Sequence, residues 1–368
     1  MAERPQPHGW IILDKPVGLG STQAVGAVKR NLREAGYGKV KVGHGGTLDP
    51  LAQGVLPIAL GEATKLCGRM LDASKVYEFT IQFGAETDTL DAEGEIVRAT
   101  DRRPPRAAIA AILPHFEGEI EQVPPAYSAL KVDGRRAYDR ARAGEAVELA
   151  ARRVTIYSLQ ILPSMGRGTA QSGVEGHPRH GGMLEESGTL PLHHAAHGPP
   201  PHAGEDFHSS FQTTSGRPDP FDPAAPLELA DSITLVAHVS KGTYIRSLAR
   251  DIARALGTLG HVTYLRRTKA GPFSEGQAIS LDKLNTIGKG ASLHDLILPL
   301  EAGLDDIPAL HLTPDSAQAV RQGRVLSGMP HDDGLYLARL GEVPVALMEV
   351  GQGTARVVRG FNLTDVAE

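Results

Sequence analysis

The sequence predicts an α+β protein that ends in a small β-rich unit. Three observations carry this. Residues 77–83 and 232–240 alternate apolar and polar side chains, the period of a half-buried strand. The stretch after Gly242 places Ile245, Leu248, Ala249, Ile252 and Leu256 on one face, the period of an amphipathic helix. Beyond about residue 300 the pattern turns to short alternating strands. A chain of 368 residues fits two modest domains better than one.

In chain order, Gly9–Pro16 reads as a short buried strand running into a turn. Ser21 or Thr22 caps the helix that follows, with Ala24, Val25, Val28 and Leu32 on one face and Gly36 at its end. Residues 43–61 are dense in glycine and proline and read as largely loop. Tyr77, Phe79, Ile81 and Phe83 share one face of a strand. A helix is expected over 105–116, and strands over 153–162 and 232–240. The helix after Gly242 stops at Gly257. Strands follow at Gly334–Leu340, Val343–Val350 and Ala355–Val358.

Composition excludes several classes. Apolar residues make up 41% and charged residues 22%, which rules out a fully disordered chain and a coiled coil. No stretch approaches the length of a membrane-spanning helix, and Met1–Trp10 has no signal-peptide core. The single cysteine, Cys67, excludes an internal disulfide and a cysteine-based metal cluster, so the expected compartment is the cytoplasm. Residues 164–226 carry seven of the 15 histidines, are rich in Gly, Pro and Ser, and show no apolar period. They read as a disordered insertion. His193, His194 and His197 could hold a metal, but a solvated low-complexity loop is the plainer reading.

The net charge of −5 is not that of a typical nucleic-acid binder, but the cations are clustered. Lys241, Arg246, Arg250, Arg254, Arg266, Arg267 and Lys269 face a lone acid, Asp251. Residues 124–145 hold Lys131, Arg135, Arg136, Arg140 and Arg142. The segment Gly43–Pro57 has neither a P-loop ending nor a dinucleotide fingerprint. Pattern alone makes it a structural loop with an Asp-Pro turn. Yet Asp49 sits between Leu48, Pro50 and Leu51, and a desolvated carboxylate needs a partner. Arg246, at a strand-to-helix junction, is a candidate.

Gly43–Leu60 with Gly61-Glu62-Ala63-Thr64-Lys65 resembles the signature of the TruB family of tRNA pseudouridine synthases. So do Asp14-Lys15-Pro16, Tyr127–Lys131, Ser240–Arg246 and Val262–Arg267, in the family's order. The resemblance implies a pseudouridine synthase fold over 8–300. Its central sheet would be mixed and largely antiparallel, flanked by helices and loops. A PUA-like RNA-binding domain would occupy 301–368. It implies isomerisation of a T-loop uridine of tRNA, position 55, without cofactor or metal. Asp49 matches the essential aspartate, Tyr77 the aromatic of the following strand, and Arg246 the partner of the aspartate. His44, Tyr244 and Leu265 match positions that contact the target nucleotide or fill space around it, and Lys65 and Lys131 are further substrate contacts. By pattern alone, Tyr77 reads as the outermost member of the core stripe to Phe83, Tyr244 and Leu265 read equally well as core, and His44 as a turn histidine. The target base must be flipped out of its loop. Residues 124–150 resemble the family's RNA-gripping insertion, and the basic clusters gain a rationale as phosphate contacts. The expected partner is the T-arm of tRNA, with no membrane, no obligatory protein partner and a monomeric chain. A tRNA-folding module that acts without catalysis is the alternative.

Overall fold

The computed structural model describes residues 5–128, 130–132, 134–145, 149–163, 227–287 and 293–363. The side chains of Lys131, Val132, Arg136, Asp139 and Ala141 are not described. The expected insertion at 164–226, with His193, His194 and His197, lies outside the described residues.

The central sheet is built on β1 (Gly9–Lys15), β2 (Val42–His44), β3 (Gln53–Leu60), β4 (Lys75–Phe83), β5 (Gly118–Gln122), β6 (Arg152–Ile161), β7 (Ser232–Val239) and β8 (Gly260–Ala270). Its order is Ile279–Ser280, β1, β3, β8, β4, β7, β6, β5, with β2 also on β3. Only the pairings of Ile279–Ser280 with β1 and of β8 with β3 are parallel along this path. The sheet is therefore mixed and largely antiparallel, as expected.

Helices cover one face, two long amphipathic ones among them. In α1 (Ser21–Glu34) the residues Ala24, Val25, Ala27, Val28 and Leu32 are buried. In α2 (Ile245–Ala255) it is Ile245, Leu248, Ala249, Ile252 and Ala253. They pack on Ile11, Leu13, Phe79, Ile81, Phe83 and Leu235. Gly257, at a φ of +70°, ends the α2 segment in the left-handed conformation that glycine adopts without strain.

The expectation of loop through 43–61 is corrected in its second half. Gln53–Leu60 is a buried central strand that pairs with β1 along seven residues, Gly54 to Leu60. Its run Val55-Leu56-Pro57-Ile58-Ala59-Leu60 does not alternate because both faces are covered. Leu56, Ile58 and Leu60 face the helices. Val55 and Ala59 join Trp10, Ile12, Phe273, Leu300, Leu337, Leu347 and Phe361 in a second core. Pro57 is tolerated there, and its carbonyl still accepts the Gly45 N–H at 2.8 Å.

The C-terminal unit contains β9 (Ala309–His311), α3 (Pro314–Arg321), β10 (Leu326–Ser327), β11 (Gly334–Leu340), β12 (Val343–Gly351) and β13 (Thr354–Gly360). Its five strands run in the order β9-β11-β12-β13-β10. They enclose a core of their own around Leu310, Ala317, Val320, Val345 and Met348. Leu337, Leu347 and Phe361 contribute instead to the second core, where the Trp10 indole donates to the Leu300 carbonyl at 3.0 Å.

Candidate active site

The glycine-rich segment between β2 and β3 carries Asp49, and four groups fix its path. The Ser21 hydroxyl accepts the Leu48 N–H at 2.8 Å and donates to the Leu48 carbonyl at 2.9 Å. Ser21 is therefore not the helix cap expected from sequence. Gly20 takes that position, and its N–H donates to the Gln23 side chain at 2.8 Å. The buried Lys15 ammonium donates to the carbonyls of Pro16, Leu19 and Pro50 at 2.9, 2.6 and 3.3 Å. Buried Arg267 donates to the carbonyls of Val55 and Gly46 at 2.8 and 3.2 Å. Gly54 sits at a φ of +100°, where a Cβ would meet the Arg267 carbonyl at 2.3 Å. The loop is thus held by side chains from β1, α1 and β8.

Arg246 is the second residue of α2, where its charge opposes the helix dipole. Two carboxylates offset this. One nitrogen, Nη2, lies 2.8 Å from Asp49 Oδ2, and Nη1 lies 3.3 Å from Asp91 Oδ2. The same nitrogens donate to the carbonyls of Thr89 at 2.7 Å and Tyr127 at 2.9 Å. Arg246 and Asp91 are both buried, with side chains 5% and 3% exposed, whereas Asp49 keeps 36% of its side chain open. One carboxylate anchors the guanidinium and the other faces the cleft. Leu90, between Thr89 and Asp91, has a φ of 63°, a conformation a leucine seldom adopts. That turn brings the Thr89 carbonyl and the Asp91 carboxylate to the same guanidinium.

Asp49 and Arg246 open on a cleft of about 310 Å³ whose lining includes Tyr77, Leu265, Tyr244, Lys75, Arg152 and Arg267. Tyr77 stands on β4, above the buried Phe79 and Ile81 of its stripe. Leu265 faces Phe79 across the β8–β4 pair. Tyr244 precedes α2, and its backbone N–H and carbonyl are both bound by the Gln122 amide, at 2.8 and 3.1 Å. The Arg152 guanidinium lies over the Tyr244 ring, 4.6 Å from its centroid. The cleft thus unites Asp49, Tyr77, Arg246, Tyr244 and Leu265.

The remaining candidates lie elsewhere. His44 is on β2, next to the loop but not among the cleft-lining residues, and its Nδ1 is buried without a hydrogen-bond partner. Burial and Arg267 push its pKa down, against the Gly46 backbone. Lys65 binds Glu62 at 2.6 Å and the Gly360 carbonyl at 2.8 Å, which ties the catalytic region to the C-terminal strands. Lys131 pairs with Arg136 in a two-residue ladder, and its side chain lies outside the described residues.

The basic run 241–269 is largely committed within the fold. Lys241 meets Asp72 at 2.9 Å, Arg250 meets Asp251 at 2.8 Å, and Arg254 meets Glu86 at 3.0 Å. Arg266 pairs with Asp14 at 3.1 Å and with Glu275. Of these pairs only Lys241–Asp72 is exposed on both sides and can exchange its partner for an incoming phosphate at little cost, because Glu86 is buried beneath Arg254. Burial brings both Lys15 and Lys75 down to about 8. Lys75 donates to the carbonyls of Met70, Leu71 and Ala73, so its nitrogen is occupied. Among the described residues no His, Cys, Asp and Glu cluster is placed to hold a metal ion. No helix among them is long and apolar enough to cross a membrane.

Residues 32–174 match the model of the TruB family pseudouridylate synthase N-terminal domain, and 246–305 that of the tRNA pseudouridylate synthase B C-terminal domain. The chain is 59% identical to the tRNA pseudouridine synthase B of Novosphingobium aromaticivorans, over 98% of this chain and 99% of that one. The chain belongs to the TruB family. The Zymomonas mobilis enzyme of the same name is another TruB relative, 50% identical over 96% of each chain. A solved H/ACA ribonucleoprotein bound to a substrate RNA containing 2'-deoxyuridine contains a chain of the same fold. It superposes with a TM-score of 0.59 at 22% identity, covering 97% of this chain and 86% of that one. The TruB fold is therefore a pseudouridine synthase sheet with a β-rich, PUA-like C-terminal unit.

Sequence reasoning missed Asp91, Gln122 and Arg152. Arg246 is 155 positions from Asp91 in sequence, and only the packing of α2 against the Thr87–Asp91 turn joins them. The sequence does carry one signal, a Thr-Asp-Thr-Leu-Asp run that is more acidic and turn-prone than a strand end requires.

Proposed function

We propose that this chain isomerises a uridine of tRNA to pseudouridine, with Asp49 as the group that acts at the ribose. The observation that carries this is the buried Arg246 holding a partly exposed Asp49 in the lining of a cleft of about 310 Å³. In the reaction the N1–C1′ bond breaks, the uracil turns, and C5 bonds to C1′. The C5 proton leaves and N1 takes one up, so atoms balance with no oxidant or reductant. A carboxylate can serve as the nucleophile on the sugar, or as the base that removes a sugar proton toward a glycal. The salt bridge fixes Asp49 Oδ2 on Arg246 and leaves Oδ1 for the substrate. Tyr77 offers a ring face and a hydroxyl to the uracil, and Leu265 packs beside it. Arg246, Lys75 and Arg267 are too committed to move protons.

The family supports a finer reading: the target is the T-loop uridine at position 55, and the chain acts alone, as a cytoplasmic monomer. The test is to incubate the protein with an unmodified tRNA transcript and map pseudouridine by carbodiimide adducts that stop reverse transcription. A single stop at the T-loop uridine is expected, lost when that uridine is replaced by cytidine. Stops elsewhere, or none, would contradict the assignment.

A further inference from the structure

Among the described residues Arg152 is the cleft-lining cation with the fewest partners, one carbonyl and no carboxylate. The other three are committed. Arg246 is shared by Asp49 and Asp91, Arg267 is spent on Val55 and Gly46 carbonyls, and Lys75 on three carbonyls. Arg152 opens β6 opposite Gln122, the residue that binds the Tyr244 backbone. One of its nitrogens, Nη2, donates to the Gly242 carbonyl, and the guanidinium carbon lies over the Tyr244 ring, 4.6 Å from its centroid. Gly242 has a φ of +80°, the left-handed conformation that glycine adopts without strain.

These contacts orient the guanidinium while leaving its charge unneutralised. A stacked arginine has lost little freedom and keeps donors for an anion. Among the described residues that line the cleft, the one anion is Asp49, which is held by Arg246. A nucleotide that delivers its base and ribose to Asp49 must bring its phosphodiester to the cleft wall. We propose that Arg152 is the phosphate anchor of this cleft, binding the phosphodiester of the flipped nucleotide while its stack holds Tyr244 in place. This rests on the uridine-isomerising reading above. Arg152 acts on substrate position and affinity, and Asp49 remains the reacting group.

The test compares Arg152→Gln and Arg152→Lys with wild type, each first shown folded by an unchanged cooperative melt. Kd and KM for the tRNA transcript are measured across a salt series, with kcat at saturation. Loss of one charge-assisted contact predicts Arg152→Gln binding weaker by about tenfold or more at low salt. The log Kd against log salt slope falls by about 0.7–0.9. The loss lies mainly in KM. Arg152→Lys keeps the wild-type slope but not the full affinity, because an ammonium does not reproduce the planar stack. Wild-type slope and KM in Arg152→Gln, with kcat alone reduced, would overturn the anchor and leave Arg152 as a brace for Tyr244. A wild type that makes no pseudouridine would instead overturn the underlying reading. The two failures are distinct.

Discussion

At the scale of single residues, the site depends on one buried guanidinium meeting two carboxylates and two carbonyls. Lysine cannot reproduce this, because an ammonium is a point charge without the planar fork. Arg246→Lys is expected to lower kcat by about a hundredfold or more while costing roughly 3–5 kcal/mol or less of stability. A single-turnover assay beside a thermal melt checks both, and near-normal turnover would show that Asp49 does not need its partner. Asp49, Arg246, Tyr244 and Leu265 were legible in the sequence because each sits in a recognisable block, and Tyr77 because it is the aromatic of the strand that follows; all five reach the cleft. Asp91, Gln122 and Arg152 were not. Their roles are contacts with α2 and the turn before it, 155, 122 and 90 positions away in sequence, respectively. No local period records such contacts. Lys65 illustrates the converse, a motif residue whose ammonium is taken up by Glu62 and Gly360.

At the scale of elements, the loop that carries Asp49 is held by side chains that neighbouring elements extend into it. Gly54 lies where β3 passes beneath Arg267, so Gly54→Ala adds a clash with the Arg267 carbonyl to an unfavourable φ. The expected cost is at least about 1–3 kcal/mol, read as a lowered denaturant midpoint with unchanged m-value. An unaffected midpoint would mean that the loop does not need this close approach. Helices and alternating strands were legible, since α1, β4, β7 and α2 each bury one face. β3 was misread as loop because it is buried on both faces and carries Gly54 and Pro57, residues that ordinarily mark turns. Ser21 was misread as a cap for a related reason. A serine beside a helix start has a local role by default, and only the fold reveals its distant partner Leu48.

At the scale of the whole molecule, acid should loosen the structure in a predictable order. Burial lowers His8, His44 and His238 from an ordinary pKa of 6.5. The unfolded chain then binds more protons than the folded one below 6.5, so stability falls as pH drops through that value. Burial would raise Glu62, but the Asn362 N–H and Lys65 outweigh it and bring it below its ordinary 4.5. Its contribution is present above 4.5 and lost as pH falls below it, releasing the contact between Glu62 and the C-terminal segment. Thermal melts from neutral to about pH 4 should show a falling Tm in both windows. A flat profile would contradict the partial burial of these histidines. The two cores explain why the C-terminal unit belongs to the same compact body: Leu337, Leu347 and Phe361 cover the side of β1 and β3 that the helices leave open. The central claim is that Asp49 performs a base isomerisation. It is tested most directly by tritium release from a tRNA transcript carrying 5-tritiated uridine, with wild type beside Asp49→Asn. The account predicts release by wild type and none by Asp49→Asn, with tRNA binding kept by both. Tight binding without release by either protein would contradict it and make the chain an RNA-binding module.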